Sequence, residues 1–271
     1  MVRRALSRTP FALLWRRRDL LALLVGRDLR ARFAGSLLGV GWVIVTPLVQ
    51  LAVLTLIFST VLRVRFAADG ALAGSPFALV LAWGLFPWIA AQDGLARATS
   101  SLVDGAVLVR RMSVEPAILP VVPVLANLAQ VVVTLAVVAL LSALLGEPPA
   151  TTVVLCLPVL LLQTVLVLGA GWISAFAHVY SRDSAAVVGA LLQVWFYLSP
   201  IVYPVSAAPE SLQLLLWLNP MAGITESLRA FALGGEPPWL ALGWSAACAL
   251  GVLAVALRVV ERASAEVPDL V

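Results

Sequence analysis

AILPVVPVLANLAQVVVTLAVVALLSALLG, residues 117–146, runs for 30 residues without a single Asp, Glu, Lys or Arg. A helix of about 20 such residues crosses the hydrocarbon core of a bilayer. The stretch has company. Residues 33–62, 70–92, 148–181, 184–209 and 237–257 are equally free of charge and rich in Leu, Val and Ala. A soluble protein of 271 residues would carry charge on the outer face of nearly every helix. Here charged residues make up 12% of the chain, roughly half the soluble average, and the mean hydropathy is +1.04. In lipid each backbone polar group must be satisfied within the protein, which leaves helices or closed barrels. The runs are continuous rather than alternating, which argues against barrel strands. The reading is an all-α integral membrane protein with six transmembrane helices.

Charge placement sets the expected orientation. All 18 basic residues are arginine, and nine of them precede the first apolar run, at Arg3, Arg4, Arg8, Arg16, Arg17, Arg18, Arg27, Arg30 and Arg32. Basic residues accumulate on the cytoplasmic side. Six alternating spans then place Arg97, Arg110, Arg111, Arg182, Arg258 and Arg262 inside as well, leaving Arg63, Arg65 and Arg229 outside. Both termini are expected in the cytoplasm, with the chain multi-pass in the cytoplasmic (inner) membrane. The net charge of +4 is therefore topogenic, and no nucleic-acid partner is expected. Arg27 closes a short apolar core directly and no small-x-small site follows, so no signal-peptide cleavage is expected. Cys156 and Cys248 lie in spans and read as apolar filler.

Residues 1–36 form a basic segment. Within it Val25, Leu29 and Phe33 make a stripe at i, i+4 spacing among arginines, so residues 20–33 suit a helix lying in the membrane interface. The six-helix domain covers residues 37–260 and a polar tail covers 261–271. Spans are expected near 37–62, 75–93, 117–145, 151–177, 185–202 and 239–257. Pro87 could kink or break the second, and Gly35 and Gly39 form a weak Gly-x-x-x-Gly packing signal at the start of the first. Residues 94–116 read as a cytoplasmic loop. Residues 203–238 hold five prolines yet also apolar patches too short to cross, which fits short re-entrant helices on the outer side.

What is missing narrows the chemistry. A phosphate-binding P-loop needs lysine, and there is none; His178 is the single histidine, which excludes His-clustered metal sites. No Gly-x-Ser-x-Gly elbow is present. No catalytic residue, bound cofactor or metal is expected. Ionisable groups avoid the spans, the nearest being Asp69, Asp93, Glu226 and Arg229. The spans do carry Thr46, Gln50, Gln92, Asn127, Gln130, Gln163 and Gln193, as interhelical hydrogen-bonding groups or as a mild polar lining.

Three segments together resemble the permeases of type-2 ABC exporters for polysaccharides (O-antigen, capsule, teichoic acid). The first is Arg27-Asp28-Leu29-Arg30-Ala31-Arg32-Phe33, continuing through Ser36-Leu37-Leu38-Gly39 to Trp42 and Pro47-Leu48. The second is residues 193–204, QVWFYLSPIVYP. The third is Leu218-Asn219-Pro220-Met221, followed by Gly223, Glu226 and Arg229. In the loop after span 2 the chain keeps a basic pair and a later proline. It lacks the family's aromatic and shifts the acidic residue to Glu115.

The resemblance implies a homodimer working with two copies of a separate cytoplasmic ABC-type ATPase, which would use the ATP and Mg. It implies a coupling helix within residues 102–116, with Arg110, Arg111, Met112, Ser113 and Glu115 facing that ATPase. The interfacial helix, through Arg27, Asp28, Arg30, Arg32 and Phe33, would meet membrane lipids or the diphosphate head of a lipid-linked polysaccharide, since arginine forks onto phosphate. Trp42, Gln50, Gln193, Trp195, Phe196 and Tyr197 would line the path. Tyr203, Asn219, Glu226 and Arg229 would form an outer gate. An ABC exporter of drugs or lipids shares the same plan. A membrane-embedded glycan-processing enzyme would need acidic metal-binding or base residues at the interface, where the loops offer only scattered ones; a scaffold leaves the three segments unexplained.

Overall fold

The computed structural model describes residues 10–32, 35–61, 75–112, 114–203, 205, 208–264 and 266–270. All regular structure among them is helical. Two helices, α1 (Pro10–Arg16) and α2 (Arg18–Ala31), precede α3 (Trp42–Thr55), which runs on into a π-helical turn at Leu56–Val61. Then come α4 (Phe77–Asp104), the short α5 (Ala106–Met112), α6 (Val121–Leu144), α7 (Cys156–Tyr180) and α8 (Asp183–Tyr197). Two further helices, α9 (Glu210–Leu218) and α10 (Pro220–Leu233), lead to α11 (Trp239–Ala263) and a terminal turn, α12 (Val267–Leu270).

α4 is the axis of the bundle. It packs against α3, α6, α7, α8 and α10, and 67% of its apolar stretch is buried, against 11% for α3 and 17% for α11. Nine consecutive residues from Val80 to Trp88 are buried on every side. Leu and Val pointing outward from α3, α6, α8 and α11 face what would be lipid, where apolar exposure is not penalised. Helix association then rests on close packing and interhelical hydrogen bonds rather than on withdrawal from water. Gln163 supplies one such bond, its Nε2 donating to the Pro87 carbonyl at 2.6 Å. α4 passes Pro87 unbroken, so the expected break there does not occur.

Among the described residues five helical segments are long and apolar enough to cross a membrane: Trp42–Ser59, Phe77–Asp104, Pro116–Leu144, Thr151–Tyr180 and Trp239–Ala263. The expected span over residues 185–202 is shorter in the structure. α8 has 15 residues, which is about 22 Å of helix against a core of about 30 Å. Its end is chemical: Pro200 has no N–H to give, and Ser199 before it is pushed out of helical geometry. The second span is longer than expected, because α4 carries on through residues 94–104. Gly35 and Gly39 have positive φ values of 78° and 50° and nothing within 4 Å of where a Cβ would sit. They turn the chain into α3 and do not pack two helices together.

α10 is framed by clear signals. The Asn219 side chain accepts from the Met221 N–H at 2.9 Å, Pro220 occupies the first turn, and Gly234 closes the helix at φ 83°. Its face lies hard against α11, because a Cβ on Gly223 would stand 2.4 Å from the Ala241 carbonyl oxygen. Gly223→Ala is therefore expected to destabilise the fold by about 2 kcal/mol through overpacking. Gly189→Ala on α8, where a Cβ meets nothing within 4 Å, should leave the melting temperature in detergent level or slightly higher. Equal effects of the two would mean the α10–α11 crossing is looser than drawn.

Candidate functional site

Charge collects where α2 meets α4 and α6. Asp28 on α2 and Arg32 at its C-cap are four residues apart; on α4, Asp93 and Arg97 repeat the spacing, so each pair shares a helix face. The pairs also cross. Asp28 accepts from Arg32 at 3.0 Å and from Arg97, while Arg32 lies 3.4 Å from Asp93. From α6, Asn127 Oδ1 and Gln130 Oε1 accept from Arg32 Nη1 at 2.7 and 3.0 Å, and Asn127 Nδ2 donates to Asp93 at 2.9 Å. Six side chains thus tie three helices into one charge-neutral junction. A cavity of about 510 Å³ lies on one side, lined by Arg27, Asp28, Arg97, Ser100 and Asp104 among others. A second, of about 290 Å³, lies between α3, α4 and α6 and is lined by Arg32, Trp42, Gln50, Asp93 and Arg97 among others.

The expected headgroup residues therefore separate. Arg32 and Asp28 turn into the junction, and Arg27 is exposed on the larger cavity. Arg30 is exposed and donates to the Gly26 carbonyl of its own helix at 3.0 Å. Phe33 lies outside the described residues. At the same end of the bundle α5 leaves Arg110, Arg111 and Met112 exposed while Val109 anchors it. Glu115 is paired with Arg17 at 3.1 Å, clipping the start of the N-terminal helices to the segment after α5. Ser113 lies outside the described residues. The terminal α12 packs on α5 and α7, with Val267 buried and the Tyr180 hydroxyl donating to Glu266 at 2.6 Å. Among the described residues no group of three or more His, Cys, Asp or Glu could hold a metal ion.

The aromatic candidates fall into two groups. Trp42 donates to Ser36 Oγ at 2.7 Å and, with Gln50, borders the smaller cavity beside Ile89 and Asp93 of α4. Trp195 packs edge-on to Trp88 at 5.5 Å, with Phe196 at 6.0 Å from the same ring. Trp88 is about 100° around α4 from Ile89, so the groups use different faces. Tyr197 stacks edge-on to Phe196, and both Tyr197 and Gln193 are exposed.

Residues 19–233 match the ABC-2 type transporter family. The chain belongs to that family. It is 32% identical over 219 residues to the O-antigen export system permease protein RfbA of Myxococcus xanthus, covering 80% of this chain and 81% of that one. Two RfbA proteins of Klebsiella pneumoniae are each 24% identical over 218 residues, with the same coverage. As an ABC-2 member the chain is a multi-pass membrane permease, a transport subunit rather than an enzyme.

In this permease the four residues expected as an outer gate form a clasp. Asn219 accepts from Trp195 Nε1 at 2.8 Å and donates to the Leu198 carbonyl and Ser199 Oγ, both at 2.9 Å. Arg229 is fully buried; it donates to the carbonyls of Val80 at 2.9 Å, Pro200 at 2.7 Å and Ile201, and to Glu226 at 2.9 Å. Gly84 makes room for it, since a Cβ there would lie 2.6 Å from Nη2. The Tyr203 hydroxyl donates to the Tyr197 carbonyl at 2.9 Å. These bonds seat the turn after α8 on α4 and α10.

By sequence Asp93 reads as lying near a loop, and Arg97 only as a charge on the cytoplasmic side. The repeated acid-then-arginine spacing at 28/32 and 93/97 was the signal available for both. Arg229 gave no such sign, because its carbonyl partners are backbone groups remote in sequence. Arg229→Met should destabilise the permease by about 3–5 kcal/mol, because it strands a buried Glu226 carboxylate. Glu226→Gln, which keeps an acceptor, should have a smaller effect in the same detergent denaturation assay.

Proposed function

We propose that this chain is the membrane-spanning subunit of an exporter that carries a lipid-linked polysaccharide across the cytoplasmic membrane, driven by ATP and Mg in a separate ABC-type ATPase. The observation that carries the reading is the similarity to O-antigen export permeases along four-fifths of the chain. The absence of lysine fits a subunit that does not bind nucleotide through a P-loop.

In this reading two copies of the permease meet two copies of the ATPase. α5, with Arg110 and Arg111 exposed on one side and Val109 anchored on the other, is the surface the ATPase pushes. α8 with the turn after it completes a sixth crossing, and α9 and α10 dip into the outer leaflet. Both termini are cytoplasmic, in keeping with fifteen arginines on that side against three on the other. The slight burial of α3 and the exposed apolar side chains of α8 leave surface for a second copy along the path. Trp42, Trp195 and Phe196 offer flat ring faces along which sugar C–H surfaces can slide.

Cells lacking the chain should accumulate lipid-linked glycan on the cytoplasmic face, and the intact chain should clear it. Arg110→Ala with Arg111→Ala should insert normally but lose roughly tenfold or more in export, since exposed arginines often dominate an interface. Trp42→Ala with Trp195→Ala should slow export without releasing the ATPase. Drug sensitivity with no change in surface glycan would instead favour a drug or lipid exporter.

A further inference from the structure

α5 is the segment that the export reading places under load, and it is poorly built to carry one alone. It has seven residues, too few for a helix to hold a direction without packing. It follows α4 through Gly105, where the backbone leaves helical geometry at φ −92° and ψ 13°. A push on a short helix at such a joint tilts it instead of driving α4, unless its inner side is held.

The holding elements come from opposite ends of the sequence. Val107, Arg110 and Arg111 share the outer face of α5 at i, i+3 and i+4 spacing and are exposed, while Val109 opposite them is buried. α12 packs on α5 and also on α7. Of its described side chains Leu270 is exposed and Val267 is fully buried, in the same apolar cluster as Val109 and Val260. Four residues make no stable helix by themselves, so burial of Val267 is what seats this one. Glu266 beside it accepts from the Tyr180 hydroxyl at 2.6 Å, which pins the segment to the end of α7. α7 is a firm support, being packed against α4, α6 and α11. On the exit side of α5, Arg17 pairs with Glu115 at 3.1 Å, and α1 just before Arg17 packs on α11.

We propose that α12 is a brace for α5, with Val267 as the positioning residue that wedges it against α5 and α7. A load on Arg110 and Arg111 then passes into α7 through α12 as well as into α4 through Gly105. The proposal rests on the export reading only for the source of the load, a separate ATPase.

Hydrogen–deuterium exchange of the purified full-length permease in nanodiscs tests the brace without any ATPase. In Val267→Asp, which drives a charge out of the cluster, amides of residues 106–112 should exchange about tenfold faster, the order expected for losing a buried valine anchor. Residues 121–144 should exchange as before, the melting temperature should hold, and Val267→Ile should behave as the unaltered chain. If Val267→Asp fails to fold, ending the chain after Ser264 removes the brace without burying a charge. Unchanged exchange at 106–112 on loss of the brace overturns the proposal. A second arm uses the permease with its co-purified ABC-type ATPase in vesicles. Val267→Asp should keep the ATPase bound, Arg110 and Arg111 being intact, yet hydrolyse about fivefold more ATP per glycan exported. An unchanged ratio, or release of the ATPase, overturns the coupling role. An unaltered chain that exports no glycan defeats the export reading, while the exchange arm still decides the brace.

Discussion

Inside hydrocarbon there is no water to finish an incomplete set of hydrogen bonds, and the structure is organised around that constraint. Helices satisfy their own backbones except where they stop. At those points the permease uses side chains in place of solvent. The end of α8, broken by Ser199 and Pro200, would leave carbonyls at residues 198, 200 and 201 without donors. Asn219 and Arg229 supply them, from α10 and the turn before it. A guanidinium suits the task because its five donors splay in a fixed fan that can meet several separated carbonyls at once. The apolar helices fix where the chain lies, and a few long polar side chains fix how it is closed.

The two arginine clusters differ in a way that bears on what each can do. Around Arg229 the partners are mostly backbone carbonyls, fixed in place, and the side chain is fully buried. Any rearrangement there strands several groups together, so the cluster behaves as a hinge pin. At the α2 end the partners are themselves side chains, two of them carboxylates with partial exposure, and open volume lies on either side. Partner exchange there keeps most charges matched at each step. The first cluster resists change and the second permits it.

How much of this was readable in the sequence follows from the same distinction. The charge-free runs located α6, α7 and α11 to within a few residues, because in a bilayer the mere absence of charge is a structural signal. The same rule misplaced the end of the second span. Asp93, Arg97 and Asp104 looked like the start of a loop, yet α4 continues through all three, their charges being met by Asp28, Arg32, Asn127 and Ser100. The fifth span, 185–202, reads too long because the apolar run passes straight through Ser199-Pro200, and composition does not register a missing N–H. The partners of Asp28, Arg32 and Arg97 are not legible in the sequence, since pairing across helices depends on which faces meet.

The length of α4 joins these regions mechanically. Its 28 residues form one unbroken helix of about 42 Å, and beside it Gln163 donates to the Pro87 carbonyl. One end leads through Gly105 directly into α5, the segment that an ATPase would push. The middle carries Asp93 and Arg97 at the charged junction, and beyond them Trp88 against Trp195. Toward the other end Val80 and Gly84 hold the clasp around Arg229. A packed rod moves as a unit, so a shift imposed at residues 106–112 is felt at the junction, at the aromatic contact and at the clasp together. At the α2 end the partners are side chains beside open volume, and at the clasp they are mostly buried backbone carbonyls, so of the two regions the α2 end is the one with room to repack.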